Sequence, residues 1–170
     1  MNTEVKFAKV HPNAIIPSKR DEDMGFDIYA CFDEAYMVIE PHETKLIPTG
    51  IASACNPEYG FLLRERGSTG SKGIALRAGV IDSGYRNEWF VGLTNTTDKT
   101  LFISKLSQDK TYEVHGNPNT LSYFVYPYSK AIAQALVVPV PKVDVEEISY
   151  EDLKLIESER GMGALGSSNK

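Results

Sequence analysis

The chain is poor in the residues that most often announce chemistry. Its 170 residues include two cysteines, three histidines and one tryptophan. Cys31 and Cys55 form no Cys-x-x-Cys pair and have no histidine at metal-ligand spacing, so they read as small buried hydrophobes in a reducing compartment. His11, His42 and His115 are scattered through turn-like sequence beside Pro, Glu or Gly, which argues against a Ser/His/Asp or Cys/His triad. A basic excess is also missing: 18 Lys and Arg against 23 Asp and Glu give a net charge of -5. That balance argues against a general nucleic-acid binder, although a few local cations can still hold a small polyanion. No apolar run approaches the length of a bilayer span. The start, MNTEVKFAKVHPNA, has no long apolar stretch after its basic residues, so no signal peptide is expected and the expected location is cytoplasmic.

What is present is ordinary for a globular protein, with 42% apolar and 24% charged residues, and the length suits a single domain over 1–170. Short strands punctuated by Gly, Pro and Asn are expected at Val5 to Val10, Phe26 to Ala30, Tyr36 to Glu40, Lys45 to Pro48, Ile51 to Ala54 and Gly60 to Arg64. Others follow at Glu88 to Thr94, Thr100 to Ser104, Tyr123 to Tyr126 and Ala131 to Pro139. Strands at this spacing predict an all-β sandwich or barrel. Only Ser149 to Glu159, with Leu153 and Ile156 at helical spacing, predicts a helical turn. Residues 104–129 form a polar, turn-rich insertion, read first as a surface hairpin and more sharply as a site for a regulatory protein partner. Residues 160–170, rich in Gly and Ser, predict a mobile C-terminal tail or lid.

Five segments carry candidate chemistry. Gly79 to Glu88 (Gly-Val-Ile-Asp-Ser-Gly-Tyr-Arg-Asn-Glu) predicts a tight hairpin that offers backbone donors and acceptors to a flat ligand, with Asp82 placed to act on a water and Tyr85 to cover a sugar or base. Arg64 to Gly73 combines cations, hydroxyls and glycines, the ingredients of an anion cradle, but lacks the Gly-Lys-Ser/Thr ending of a P-loop and equally suits a surface loop. Arg160 to Ser168 repeats those ingredients in the tail, where Leu165 is an apolar residue with no core to join. Gln134 is the polar side chain at the start of an apolar strand; its amide is either satisfied by backbone or directed into a site. Asp27, between apolar neighbours in Met24-Gly-Phe-Asp-Ile-Tyr-Ala, is either bonded to backbone or held for a hard divalent ion.

In this order, the five segments resemble the motifs of the trimeric dUTPase family. They are Met24 to Ala30, Arg66 to Gly73, Gly79 to Glu88, Ala131-Ile-Ala-Gln and Arg160 to Ser168, and they span nearly the whole chain. The resemblance implies a jelly-roll-like β-barrel subunit with a flexible C-terminal tail, and a homotrimer whose active sites lie at subunit junctions. The implied reaction is dUTP plus water giving dUMP and pyrophosphate, assisted by Mg²⁺, which limits uracil in DNA and supplies dUMP for dTMP synthesis. By the same resemblance, Asp82 activates the water with Gln134 beside it, and Asp27 holds Mg²⁺ through water. Arg66, Gly67 and Ser68 bind phosphates, and the main chain of Gly79, Val80 and Ile81 reads the uracil edge. Tyr85 stacks under the deoxyribose, while Arg160, Leu165, Gly166 and Ser167 close over the substrate.

Three positions depart from the family pattern. Gly67 stands where a serine usually follows the arginine, Ala131 stands where an arginine usually precedes Ile-Ala-Gln, and Leu165 replaces an aromatic lid residue. The nearest rival is a dCTP deaminase, which shares the fold and parts of the motifs; deamination needs a second acid near the base, and none is evident. A rival of another class is a regulatory binding protein that signals nucleotide state through the insertion.

Overall fold

A computed structural model describes residues 4–106 and 122–163. The chain divides into two compact units, Met1–Val140 and Pro141–Lys170. The boundary falls well before Arg160, where the tail was expected to begin. No helix among the described residues is long and apolar enough to cross a membrane.

The first unit is built from strands. They are β1 (Val5–Lys9), β2 (Phe26–Ile28), β3 (Tyr36–Ile39), β4 (Thr44–Pro48), β5 (Ile51–Cys55) and β6 (Tyr59–Arg64). A short helix α1 (Gly67–Gly70) follows, then β7 (Ile74–Arg77), β8 (Val80–Ile81), β9 (Phe90–Asn95), β10 (Thr100–Ser104), β11 (Tyr123–Pro127) and β12 (Ala133–Pro139). They pair in four open sheets, ordered β1-β5, β11-β10-β3, β2-β12-β6-β8 and β4-β9-β7. The all-β expectation holds; among the described residues these ladders do not close into one hydrogen-bonded barrel.

Burial explains which faces point inward. Along β12, Ala133 and Ala135 are buried while Gln134 and Leu136 are only partly so, the period-two alternation of a strand with one face on the core. Every residue of β10 is buried, as befits the central strand of its sheet. Beneath the sheets Phe7, Phe26, Phe61 and Trp89 form an aromatic cluster, with Phe61 and Trp89 edge to face at 4.8 Å between centroids. Trp89, fully buried, pins the chain just beyond the Asp82 to Tyr85 turn.

Three local readings change. The Gly67–Gly70 segment, read as either an anion cradle or a surface loop, forms a short helix. Its three glycine and serine neighbours have low helix propensity, and Thr69 closes the turn by accepting from Arg66 N at 3.0 Å through its hydroxyl. The Gly79 to Glu88 segment is a corner rather than a hairpin: β8 pairs with β6, whereas β9 pairs with β4 and β7. The chain changes sheet at Ala78 and Gly79, both at positive φ (59° and 115°). A side chain at Gly79 would lie 2.9 Å from Leu63 O, so only glycine fits that corner. Finally, β10 and β11 run parallel, with Thr100 opposite Tyr123. Strands paired in parallel are not joined by a tight turn; residues 107–121 of the 104–129 segment, expected as a surface hairpin, lie outside the described residues.

The second unit contains α2 (Tyr150–Leu155), within the expected helical turn. Ser149 caps it, accepting from Asp152 N at 3.0 Å through its hydroxyl, and Glu151 and Asp152 sit in the first turn where the helix dipole favours acids.

Candidate active site

Strand register brings Asp27, Gln134 and Arg64 together. Gln134 on β12 lies opposite Asp27 on β2 and opposite Arg64 on β6, so the three share one face of the sheet. Just past the end of β6, Arg66 turns back towards them. Its Nε donates to Asp27 Oδ1 at 2.9 Å and its Nη2 to Asp27 Oδ2 at 3.3 Å, a two-pronged pair between half-buried groups. Its Nη1 reaches Ser68 Oγ at 3.3 Å and Ala131 O at 3.4 Å. Gln134 Nε2 donates to Glu65 O at 2.8 Å. The Gln134 amide is thus satisfied by backbone, and the residue also lines the groove. Asp27 has a third outcome: its carboxylate is gripped by an arginine.

Asp27, Arg66, Gly67, Ser68 and Gln134 form one wall of an open groove of about 690 Å³, whose other wall is the loop from Ser18 to Gly25. Gly25 packs closely there, since a Cβ would sit 2.8 Å from Gln134 Oε1 and 3.0 Å from Gln134 Cβ. Gly67, in contrast, has nothing within 4 Å of an added Cβ. Ser18, Lys19, Arg20 and Asp23 line the groove and were missed by the motif reading. The run Ser-Lys-Arg-Asp-Glu-Asp just before Met24 was the available signal. Glu65 braces the base of this wall by accepting from Leu76 N at 3.0 Å, and that bond is the main reason its carboxyl is held below the usual range.

The Asp82 end is different. Tyr85 N donates to Asp82 O at 3.1 Å, closing a turn that exposes the Asp82 side chain. The Tyr85 hydroxyl donates to Glu88 O at 3.0 Å, and Glu88 Oε1 accepts from Gly50 N at 2.7 Å. Arg86 Nη1 donates to Ser83 O at 2.6 Å, Tyr85 O at 3.2 Å and Ser53 O at 3.3 Å, tying the turn to β5. Val80, Ile81 and Asp82 line a cavity of about 170 Å³ with Tyr59, Leu62 and Val138. Among the described residues β8 is the edge of its sheet, so its outer backbone groups can meet a flat polar ligand.

The two clusters lie at opposite corners of one sheet. Asp82 follows Ile81, the partner of Phe61, which puts it at the level of Gly60 and Val138, whereas Gln134 lies at the level of Arg64. Four residues of strand separate these levels, about 13 Å, and three strand spacings separate β2 from β8, about 14 Å. Neither cluster reaches the other within one chain.

Arg160 belongs to the second unit, where it is exposed and its Nε donates to Gly163 O at 3.2 Å. Leu165, Gly166 and Ser167 lie outside the described residues. Cys31 and His11, scattered in sequence, do meet: Cys31 Sγ is 3.2 Å from His11 Nδ1, and His11 Nε2 is 3.4 Å from Asp33 Oδ1. Burial pushes the Cys31 thiol up, which keeps it protonated and unsuited to nucleophilic work.

Among the described residues no three His, Cys, Asp or Glu side chains group to hold an ion. Asp27 fits a hard divalent ion only indirectly. Each of its oxygens accepts from Arg66 and keeps a second lone pair, which suits a metal-bound water better than the metal itself.

An anion-ready groove and a backbone edge beside an exposed carboxylate, on an all-β scaffold, define a class of nucleotide-handling β proteins. A dUTPase family model matches residues 11–108. The deoxyuridine 5'-triphosphate nucleotidohydrolase of Nautilia profundicola is 30% identical, over 98% of this chain and 99% of its own length. Among solved structures, the Staphylococcus bacteriophage 80alpha dUTPase with dUPNHPP superposes with a TM-score of 0.74 at 24% identity, covering 98% of this chain and 99% of that one. The D95N dUTPase of phage phi11 of S. aureus, whose structure describes coordination of a structural Mg(II) ion, gives a TM-score of 0.65 at 21% identity, over 85% of this chain and 96% of that one. The fold is thus the jelly-roll-like β fold, and the chain belongs to the dUTPase family.

Proposed function

We propose that the protein hydrolyses dUTP to dUMP and pyrophosphate in sites shared between the chains of a homotrimer. The observation that carries this reading is the separation of the two clusters on one sheet. The Asp27, Arg66, Ser68 and Gln134 groove suits a triphosphate, and the Gly79 to Tyr85 corner suits a nucleoside, yet they lie on the order of 19 Å apart in one chain. A neighbouring chain that brings its corner to this groove completes a nucleotide site.

In that site the outer edge of Val80 and Ile81 reads the uracil edge, and Tyr85 packs under the deoxyribose where a ribose hydroxyl has no room. The Asp82 carboxylate takes a proton from water as the water attacks phosphorus, and the bond to the pyrophosphate oxygen breaks. Arg66, Ser68 and the backbone N–H groups that open α1 stabilise charge growing on the phosphate oxygens. Gln134 orients water through its Oε1, which accepts, or a phosphate oxygen through the second Nε2 hydrogen, which donates. Asp27 would hold Mg²⁺ through water, and the ion would supply neutralisation of the triphosphate's charge and polarisation of its oxygens. Of the tail residues the resemblance assigns to the substrate (Arg160, Leu165, Gly166 and Ser167), Arg160 brings a cation and Ser167 a hydroxyl suited to the terminal phosphates, and Leu165 an apolar side chain suited to the base.

The test is pyrophosphate release from dUTP, dCTP, dTTP and UTP with Mg²⁺. Turnover confined to dUTP is expected. Equal turnover of dUTP and UTP would contradict the role of Tyr85, and ammonia release from dCTP would replace the assignment with a deaminase.

A further inference from the structure

The loop that forms the second wall of the groove carries a guanidinium that the proposed reaction leaves unused. Asp27 N donates to Ser18 O at 2.9 Å, an isolated antiparallel bridge that holds the loop beside Asp27. Within the loop a turn closes through Asp23 N donating to Arg20 O at 3.1 Å. Arg20 Nε and Nη2 donate to Asp23 Oδ2 and Oδ1, both at 2.8 Å, and Arg20 N donates to Oδ2 at 3.3 Å. The fork holds the Asp23 carboxyl below its usual range.

The groove therefore contains two arginine–aspartate forks of different character. The Arg66 side chain is 30% exposed and is also tied to Ser68 and Ala131, whereas the Arg20 side chain is 86% exposed. Arg66 is a fixed cation of the groove, anchored by Asp27, Ser68 and Ala131. Arg20 is held on an open turn by one carboxylate, and an exposed pair of that kind is weak. Lys19 adds a second positive charge on the same wall, its Nζ donating to Arg20 O at 3.1 Å.

We infer that Arg20 is a further ligand of the triphosphate, held back by Asp23 until the phosphate chain enters the groove. This rests on the triphosphate reading of the groove given above. A phosphate chain presents several charged oxygens in the geometry a guanidinium fork prefers, so it displaces a single exposed carboxylate. Asp23 then sets affinity in the opposite direction, because it competes with the phosphates for Arg20.

Two substitutions in the full-length protein give opposite expected signs. Arg20→Gln should raise the KM for dUTP and the Kd of a non-hydrolysable dUTP analogue about fivefold, with kcat changed less than about twofold and dUMP affinity unaltered. Asp23→Asn should tighten the analogue about twofold by freeing Arg20. If the pair only braces the loop, both variants weaken binding together, and that result would overturn the inference, as would an Arg20→Gln variant that binds the analogue like wild type. Calorimetry with inorganic tripolyphosphate keeps the two readings apart. Wild-type protein that fails to turn over dUTP overturns the functional assignment, while loss of tripolyphosphate affinity in Arg20→Gln still supports the ligand role and its absence sinks it.

Discussion

The two ends of the β2-β12-β6-β8 sheet solve opposite problems. At the β2 end, side chains from three separate stretches of chain are cross-linked: Arg66 grips Asp27, and Gln134 grips the backbone of Glu65. At the β8 end, one contiguous turn is shaped by backbone geometry, with Gly79 at φ 115° and Arg86 binding three carbonyls. The first arrangement suits a flexible, highly charged ligand, since it fixes charge while leaving an open groove. The second suits a rigid, flat ligand that is read by main-chain groups. A nucleoside triphosphate has both kinds of part.

The largest effect should come from the corner. Asp82→Asn should lower kcat about a thousandfold while leaving the Kd of a non-hydrolysable dUTP analogue within about twofold, because the turn is held by backbone and Arg86 rather than by the carboxylate. Parallel loss of binding would show instead that Asp82 holds substrate. Next, Arg66→Lys keeps the charge but loses the fork to Asp27, and steady-state kinetics should show KM rising about tenfold. A variant with wild-type KM would mean that the groove does not receive the phosphates. Gly25→Ala should lower kcat several-fold, on the order of 1 kcal/mol in the barrier, by pushing on the Gln134 amide while the corner stays intact. Unchanged kinetics there would remove Gln134 from the chemistry.

The smallest effect concerns stability. The folded Glu65 carboxyl lies below its ordinary value, chiefly because Leu76 N donates to it. Its contribution is therefore present above the unfolded carboxylate pKa, about 4.3, and is lost as pH falls through the lower folded value. Urea unfolding of Glu65→Gln should show a deficit of about 1 kcal/mol at neutral pH that shrinks towards zero in acid. A deficit that persists unchanged at low pH would assign the effect to packing.

The corner was more legible than the groove. Gly79 to Glu88 is contiguous, so its glycine, acid and aromatic ring appear in order along the sequence, and the strand after it follows from its apolar run, whereas β7 before it was not read. The groove depends on register: Asp27 meets Arg66 only because β2 and β6 both flank β12. No local pattern states that pairing, and Asp27 was accordingly read as a backbone or metal partner. Nothing local singles out the Ser18 to Asp23 loop, since a charged run usually marks a solvated surface. The short α1 escaped because four residues hold no helical period. The parallel pairing of β10 with β11 likewise follows from long-range contacts that a hairpin-like composition does not reveal.

The shared site is tested most directly by mixing two inactive proteins. Asp82→Asn chains keep the groove, and Arg66→Ala chains keep the corner. Co-refolded at equal amounts into mixed oligomers, they should recover about a quarter of wild-type dUTP turnover, the fraction of junctions that pair an intact groove with an intact corner. Verified mixed oligomers with no turnover would contradict a site built across chains.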